Sequence, residues 1–455
     1  MTSVQEPQER KGTPLTAARK LADFWHSLDR HLRLLLIIGL IEAAALNAYS
    51  PVLMPYYVSL GFDSKIAGRF NSVEFVATCI VALIGGLLAD ALGRKKMYVA
   101  GQFIRLTMIA LLLSLRSYTG LMIVAAFRGL IAIQMPAQSA LIAGYTSKGN
   151  RATVIGISQT LTQLAGLLVP LAVGILADTY SVQVPFGIAM LLAVIAILVT
   201  APLRDRPSEM VVTQPQGTGV REQDLKTREE PATGGKAVAP AGGRTKAFLS
   251  RVVEMFRGPR WWVLTLLLLA RISNGLANGA FNILMPFTIM DKFSKAYTVM
   301  SGAQVFFSLG TITVLLIGGR LADLRGRRAV AVTAGFIFPL LICSLPLART
   351  LWQLFPLLML VTMAGSISSP AVQAIQMEAV EDKYRATFMG LAIGLNFLGM
   401  SLGSIIAGIY YTVTVTWSWA VMVLLYLLPA VIFYIILPRE KRVTTGKGET
   451  KPVAS

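Results

Sequence analysis

The sequence GGLLADALGRKK at residues 85–96 is a short charged turn between two long apolar runs. It recurs as GGRLADLRGRR at residues 318–328. The spacing is constant, because Gly86 and Gly319 are 233 residues apart and so are Arg94 and Arg327. One unusual turn that occurs twice, half a chain apart, indicates two copies of one structural unit.

The residue types in the turn suit a membrane surface. Glycine permits close helix approach and a sharp bend, an aspartate at a helix end can hold an arginine, and a basic cluster keeps a loop on the cytoplasmic side. The positions concerned are Gly86, Asp90, Gly93 and Arg94 in the first copy and Gly319, Asp323, Gly326 and Arg327 in the second.

The repeated pattern G-x-L-A-D-x-x-G-R resembles the loop signature of the major facilitator superfamily of secondary transporters, over about residues 30 to 440. That resemblance implies an all-α integral membrane protein with 12 transmembrane helices in two six-helix repeats. It also implies that the two motif loops gate the transport path, with Asp90 holding Arg94 and Asp323 holding Arg327. Helices 1, 4, 7 and 10 are then expected to line a central cavity.

Composition independently favours a membrane protein. Apolar residues make up 55% of the chain and charged residues only 14%, whereas soluble domains reach about 45–50% apolar with glycine included. In a soluble protein, a formal net charge of +19 would suggest nucleic-acid binding. Here the distribution of basic residues among the connections between membrane segments explains the charge better, so we expect no nucleic-acid partner. Cys79 and Cys343 lie in apolar runs, and the two histidines lie outside the spans, so we expect no metal site.

The sequence contains twelve apolar segments, most of which are long enough to cross a hydrocarbon core of about 30 Å. The sixth segment is the shortest. Basic residues concentrate in alternate connections, which predicts that both termini are cytoplasmic, in a multi-pass protein of the plasma or inner membrane. The predicted organisation is an N-terminal tail (1–33), a six-helix bundle (34–202), a cytoplasmic linker (203–260), a second bundle (261–438) and a C-terminal tail (439–455).

Ionisable side chains at mid-membrane depth are costly and mark functional sites. Glu42 and Glu74 are therefore candidate proton carriers, and Glu42 is placed to pair with Arg128 when the cavity closes. The alternative is that both glutamates only tether helices. Drug/proton antiporters in the superfamily carry an arginine in helix 4, and Arg128 is similar.

A polar stripe follows segment 7, where Arg271, Asn274, Asn278 and Asn282 step by three or four residues along one helix face. Asn47 in segment 1 corresponds to Asn278 at an offset of 231. These residues, with Arg128, are the candidate substrate-binding set. Membrane asparagines also join helices to each other, and the sequence leaves both roles open.

The resulting hypothesis is a transporter, not an enzyme, that exports drug-like small molecules by alternating access and uses a proton gradient without a cofactor. A proton-coupled uptake symporter of an organic anion or other metabolite is the alternative, and a non-transporting receptor is a further one. The P-loop pattern G-x-x-x-x-G-K-[ST] does not occur in the sequence, which argues against ATP as the energy source. We expect a monomer in the lipid bilayer.

Overall fold

The computed structural model describes residues 28–146, 151–203, 250, 252–258, 261–325, 327–381 and 383–436. Within these residues the chain is helical and contains no strand. The long helices are α1 (Arg30–Ser59), α2 (Ser64–Leu92), α3 (Arg94–Ser114), α4 (Tyr118–Tyr145), α5 (Arg151–Thr179), α6 (Gln183–Thr200), α7 (Trp261–Lys292), α8 (Tyr297–Arg325), α9 (Arg327–Ser344), α10 (Leu351–Ala379), α11 (Arg385–Tyr411) and α12 (Val415–Ile436).

Nine of these helices, α1 to α7, α11 and α12, are long and apolar enough over their described residues to cross a membrane. Large apolar side chains on their outer faces are exposed, among them Leu168 at 69% and Leu424 at 65%. A chain in water exposes few apolar patches of this extent, so the outer surface is suited to lipid. Each of the twelve apolar segments of the sequence overlaps one of the twelve helices.

Local sequence explains where the helices begin and bend. α1 begins at Arg30, four residues before the predicted start of the first six-helix bundle at residue 34. It begins there because the Asp29 side chain accepts a hydrogen bond from the His31 backbone N–H at 2.7 Å. α4 tightens into one 3-10 turn at Ile131–Ile133. The predicted linker lies mostly outside the described residues, and residues 252–256 within it are helical.

The helix bundle has two ends, which we name by their connections. The motif end carries the turns between α2 and α3 and between α8 and α9, and the distal end carries the α1–α2 and α7–α8 connections. At the distal end one apolar core joins side chains of both halves, such as Tyr57 and Phe70 with Ile283 and Leu358.

The described core is divided at the motif end. One apolar cluster there contains side chains of the first half alone, such as Leu35 and Tyr98. Another contains side chains that follow the predicted first half, such as Leu267 and Phe388. The described residues therefore bind the two halves together at the distal end and leave two separate cores at the motif end.

Two helix pairs make most of the contact between the halves. Between α2 and α11, the Ser64 hydroxyl donates to the Gly408 carbonyl at 3.0 Å, and the Ser72 and Ser401 hydroxyls are 2.7 Å apart. Between α5 and α8, the Asp178 carboxylate accepts hydrogen bonds from the first backbone N–H groups of α8, those of Tyr297 and Thr298.

Candidate functional site

A cavity of about 520 Å³ lies between the two halves. Residues of α1, α2 and α4 form one wall, and residues of α7, α8 and α10 form the other, with Phe338 of α9 and Tyr426 of α12 completing it. Its lining mixes aromatic and aliphatic side chains with polar ones. The polar side chains in the lining are Ser50, Asn71, Glu74, Arg128, Asn278, Asn282, Gln304, Thr311, Thr362, Ser366 and Tyr426.

An ion pair forms part of the first wall. Arg128 Nη1 lies 2.8 Å from Glu74 Oε2, and the two side chains are 13% and 18% exposed. Gly129 makes the pair possible, because a Cβ there would lie only 2.5 Å from Ala77 Cβ and would force α2 and α4 apart. Two opposite charges therefore face the cavity from a position that water or a ligand inside it can reach.

Glu42 has different surroundings, because it lies within the first half instead of on the cavity wall. It is 5% exposed, its carboxylate lies 3.5 Å from Arg105 Nη1, and Gln102 Nε2 donates to it at 3.0 Å. Gln102 also donates to the Thr200 hydroxyl at 2.9 Å, which ties α1, α3 and α6 together. In this structure Glu42 and Arg128 do not pair, because the Glu42 carboxylate contacts Arg105 and Gln102 of α3 instead.

A second, smaller chamber of about 310 Å³ adjoins the cavity. Asn278, Phe338, Gly365 and Tyr426 line both spaces, so the two are separated by no more than these shared side chains. We call the smaller space the polar chamber. Its walls come from α7, α9, α10 and α12 of the second half.

Arg271 and Gln376 are hydrogen-bonded to each other in the wall of the polar chamber. The Arg271 guanidinium donates to Gln376 Oε1 through Nε at 3.1 Å and also through Nη2. Two turns along α7 from Arg271, Asn278 Nδ2 donates to the Asn274 backbone carbonyl and side-chain oxygen, both at 2.8 Å. The Tyr426 hydroxyl donates to Asn278 Oδ1 at 3.0 Å.

The predicted polar stripe of α7 therefore faces the central spaces. Arg271 and Asn274 line the polar chamber, Asn282 lines the cavity and Asn278 lines both. Asn47, the counterpart of Asn278 in α1, is not part of either lining. It is 8% exposed, and its amide donates to the Ala43 carbonyl of its own helix at 2.9 Å.

Part of the first motif loop is described. Gly93 has a φ of 96°, a backbone conformation that residues other than glycine rarely adopt. It lets α3 begin at Arg94 directly after α2 ends at Leu92. The side chain of Asp90 and those of the second motif loop lie outside the described residues. Both predicted aspartate–arginine latches therefore lie outside them as well. The same holds for Gly86, Gly319, Asp323, Gly326 and Arg327.

Some lining residues were not among the sequence candidates. Gln304 and Thr311 line the cavity from α8, and their spacing of seven residues is a signal that places both on one helix face. Tyr426 lies inside a strongly apolar run and gives no such signal. Its place in the lining is set by the packing of α12 against α7 and α9.

Comparisons with known proteins identify this architecture. The sequence model of the Major Facilitator Superfamily matches residues 35–271 and 267–455. The multidrug resistance protein MdtG of Citrobacter koseri is 24% identical over 344 residues, which cover 74% of this chain and 77% of that protein. MdtG of Salmonella paratyphi B is 24% identical over 343 residues, with the same coverage of both chains.

Two solved structures share the fold. The nucleoside transporter NupG superposes with a TM-score of 0.65 at 15% identity, covering 89% of this chain and 98% of NupG. The human organic anion transporter MFSD10 gives a TM-score of 0.59 at 17% identity, covering 89% of this chain and 99% of MFSD10.

Proposed function

The chain belongs to the Major Facilitator Superfamily, and from that premise we propose that it is a proton-coupled transporter that exports small, amphipathic organic molecules by alternating access. The cavity between its halves, with the Glu74–Arg128 ion pair in its wall, is the observation that carries the proposal. The resemblance to the MdtG multidrug resistance proteins supports export of drug-like compounds.

The proposed topology has all twelve helices crossing the membrane as two six-helix repeats, with both termini in the cytoplasm. The described halves share a core at the distal end and have separate cores at the motif end. Basic residues concentrate at the motif end, which is therefore proposed as the cytoplasmic side. In that orientation the structure is a state closed toward the outside, from which a monomer loads its substrate.

Proton coupling is proposed at Glu74, because its carboxylate lies on the cavity wall and Glu42 does not. Protonation of Glu74 removes its negative charge and breaks the pair with Arg128, which lies 2.8 Å away. When the pair forms again the proton leaves. A cationic substrate that competes with the proton for Glu74 therefore links its own binding to proton release, whereas an anion that draws Arg128 away favours protonation of Glu74.

Proton flux in liposomes tests this proposal. The purified protein is reconstituted around a trapped pH-sensitive dye, an acid-inside gradient is imposed, and a panel of amphipathic compounds is added outside. We expect compound-dependent proton release with wild type and with Glu42→Gln, and its loss with Glu74→Gln. Glu74→Asp keeps a carboxylate and should retain part of the flux, which separates coupling from folding.

Two results contradict the proposal. Loss of flux with Glu42→Gln and retention with Glu74→Gln would assign coupling to the buried Glu42–Arg105–Gln102 cluster. Proton movement in the same direction as the compound would replace export with uptake symport. Uptake of an organic anion is the second candidate function. It is favoured by Arg271, which has no carboxylate within 4.0 Å among the described residues.

A further inference from the structure

The charges in the central spaces do not balance. In the cavity, Arg128 has Glu74 at 2.8 Å, and in the first half Arg105 has Glu42 at 3.5 Å. Arg271 differs, because no carboxylate among the described residues lies within 4.0 Å of its guanidinium. A charge at this depth is costly unless it is paired, so the polar chamber favours a negative ligand.

Hydrogen-bond donors also outnumber acceptors in the polar chamber. Gln376 is 1% exposed, its Oε1 accepts from Arg271, and its Nε2 is buried without a hydrogen-bond partner among the described residues. Arg271 Nη1 makes no hydrogen bond within the same residues. Nearby acceptors are occupied, since Asn278 Oδ1 accepts from Tyr426 and Asn274 Oδ1 accepts from Asn278.

Among the described residues, one guanidinium nitrogen, Arg271 Nη1, and the amide nitrogen Gln376 Nε2 therefore lack acceptors in residues that line the polar chamber. An unsatisfied buried donor is costly, which indicates that a ligand supplies the missing acceptor. A carboxylate fits best, because its two coplanar oxygens match the donor geometry of an arginine and it carries the compensating charge. A lipophilic cation would meet Arg271 with like charge.

The adjoining cavity suits an apolar substituent. Phe281, Met285, Phe307 and Phe338 line it, and Phe338 also lines the polar chamber. Volumes of about 520 and 310 Å³ lie in the range that accommodates drug-sized ligands. A molecule with its acid group in the polar chamber can place one or two rings between these side chains.

We propose that the transported substrates are amphipathic organic acids, whose carboxylate binds Arg271 and Gln376 Nε2 and whose apolar part occupies the cavity. This proposal rests on the proposed transport function and names its substrate class. It assigns Gln376 a second role, because the residue both orients the guanidinium through Oε1 and donates to the ligand through Nε2.

Equilibrium binding tests the assignment without a membrane gradient. The full-length protein in detergent is titrated with naphthoate, with its neutral amide and with naphthylmethylammonium, and affinity is read from calorimetry. The three probes share one ring system and differ in charge. We expect wild type to bind naphthoate about 30-fold or more tightly than the amide, as for a buried charge pair that loses one partner.

Gln376→Glu is the decisive variant, because it replaces the amide by a nearly isosteric carboxylate beside Arg271. It should fold, pair internally with the guanidinium and lose naphthoate binding by about 30-fold or more. Arg271→Gln should lose it equally. The double variant should prefer naphthylmethylammonium, because its chamber then carries a negative charge. Arg116→Gln, an exposed arginine between α3 and α4, is the matched control and should bind as wild type does.

The outcomes separate this inference from the proposed function. If naphthoate and its amide bind wild type equally, or if Gln376→Glu keeps naphthoate affinity, the inference is overturned even if the liposomes transport other compounds. If binding depends on charge as described, the carboxylate-binding site at Arg271 and Gln376 is supported. A failure to observe proton flux would then contradict only the proposed proton coupling at Glu74.

Discussion

Asp178 is expected to hold the two halves together at the distal end. Its Oδ1 accepts from the Tyr297 backbone N–H at 2.9 Å, and its Oδ2 accepts from the Thr298 backbone N–H at 2.8 Å and from the Thr298 hydroxyl. It thus caps the N-terminus of α8 from the other half of the molecule. A carboxylate at that position also interacts favourably with the helix dipole.

The substitution Asp178→Ala removes all of these bonds at once. Loss of an N-cap costs about 0.5–2 kcal/mol, and because Asp178 is exposed its charge is screened by salt. A cost of about 1–2 kcal/mol changes the ratio of two conformations by about 5–30-fold. Because the bonds cross between the halves, this cost falls on the state closed at the distal end and not on the fold of either half.

Spin labels report the change directly. Tyr180 follows α5 and Leu347 follows α9, each is 74% exposed, and both lie at the distal end in different halves. Cysteine at these two positions carries the labels in a background without Cys79 and Cys343. Electron–electron dipolar spectroscopy should show that Asp178→Ala increases the population with the longer distance, without change in the two distances themselves.

Asp63→Ala is the matched control. Asp63 is also an exposed capping residue at the distal end, and its carboxylate accepts from the Ile66 N–H of the same half at 2.9 Å. It should leave the distance populations unchanged. The reasoning is refuted if Asp178→Ala also leaves them unchanged, or if the two alanine variants shift them equally.

Two further predictions concern stability, measured by thermal unfolding in detergent. Gly399→Leu should destabilise the protein by about 1–3 kcal/mol, because a Cβ at this position lies 2.6 Å from the Ile272 carbonyl oxygen. Gly390→Leu on the same helix is the control and should cost little, because a Cβ there has no neighbour within 4 Å. Equal losses of stability in the two variants would contradict the close approach of α7 and α11. Glu74→Gln should cost about 1–3 kcal/mol by leaving Arg128 on the cavity wall without its charged partner. Adding Arg128→Gln should recover much of this loss, and a double variant less stable than the single one would argue against the pairing.

The helices were predictable because hydrophobic segments of membrane length have few alternative structures. The apolar segments overlap the observed helices, and the spacing of the polar residues in α7 agrees with their common position along the central spaces. Helix ends were less predictable. α1 begins at Arg30 because of a single N-cap at Asp29. One capping residue is a weak signal in a sequence, and the charged residues around it favoured a tail that extends to residue 33.

The partners of the charged residues were not predictable. Glu42 and Glu74 have similar depth and similar apolar neighbours in sequence, yet one is enclosed between α1, α3 and α6 and the other faces the cavity. The difference comes from the rotation of each helix about its own axis, which packing sets. Asn47 and Asn278 show the same limit, because an equal position in the repeat did not give an equal environment.

Alternating access is the central claim, and one cross-link tests it most directly. Ser72 of α2 and Ser401 of α11 have hydroxyl oxygens 2.7 Å apart across the two halves, close enough for cysteines there to form a disulfide. The pair is introduced after Cys79→Ser and Cys343→Ser, and transport by liposomes is measured before oxidation, after oxidation and after reduction.

The account predicts that oxidation stops transport, that reduction restores it and that either cysteine alone has no effect. Transport at an undiminished rate by the fully cross-linked protein would show that the halves need not separate at the distal end, and would contradict the account.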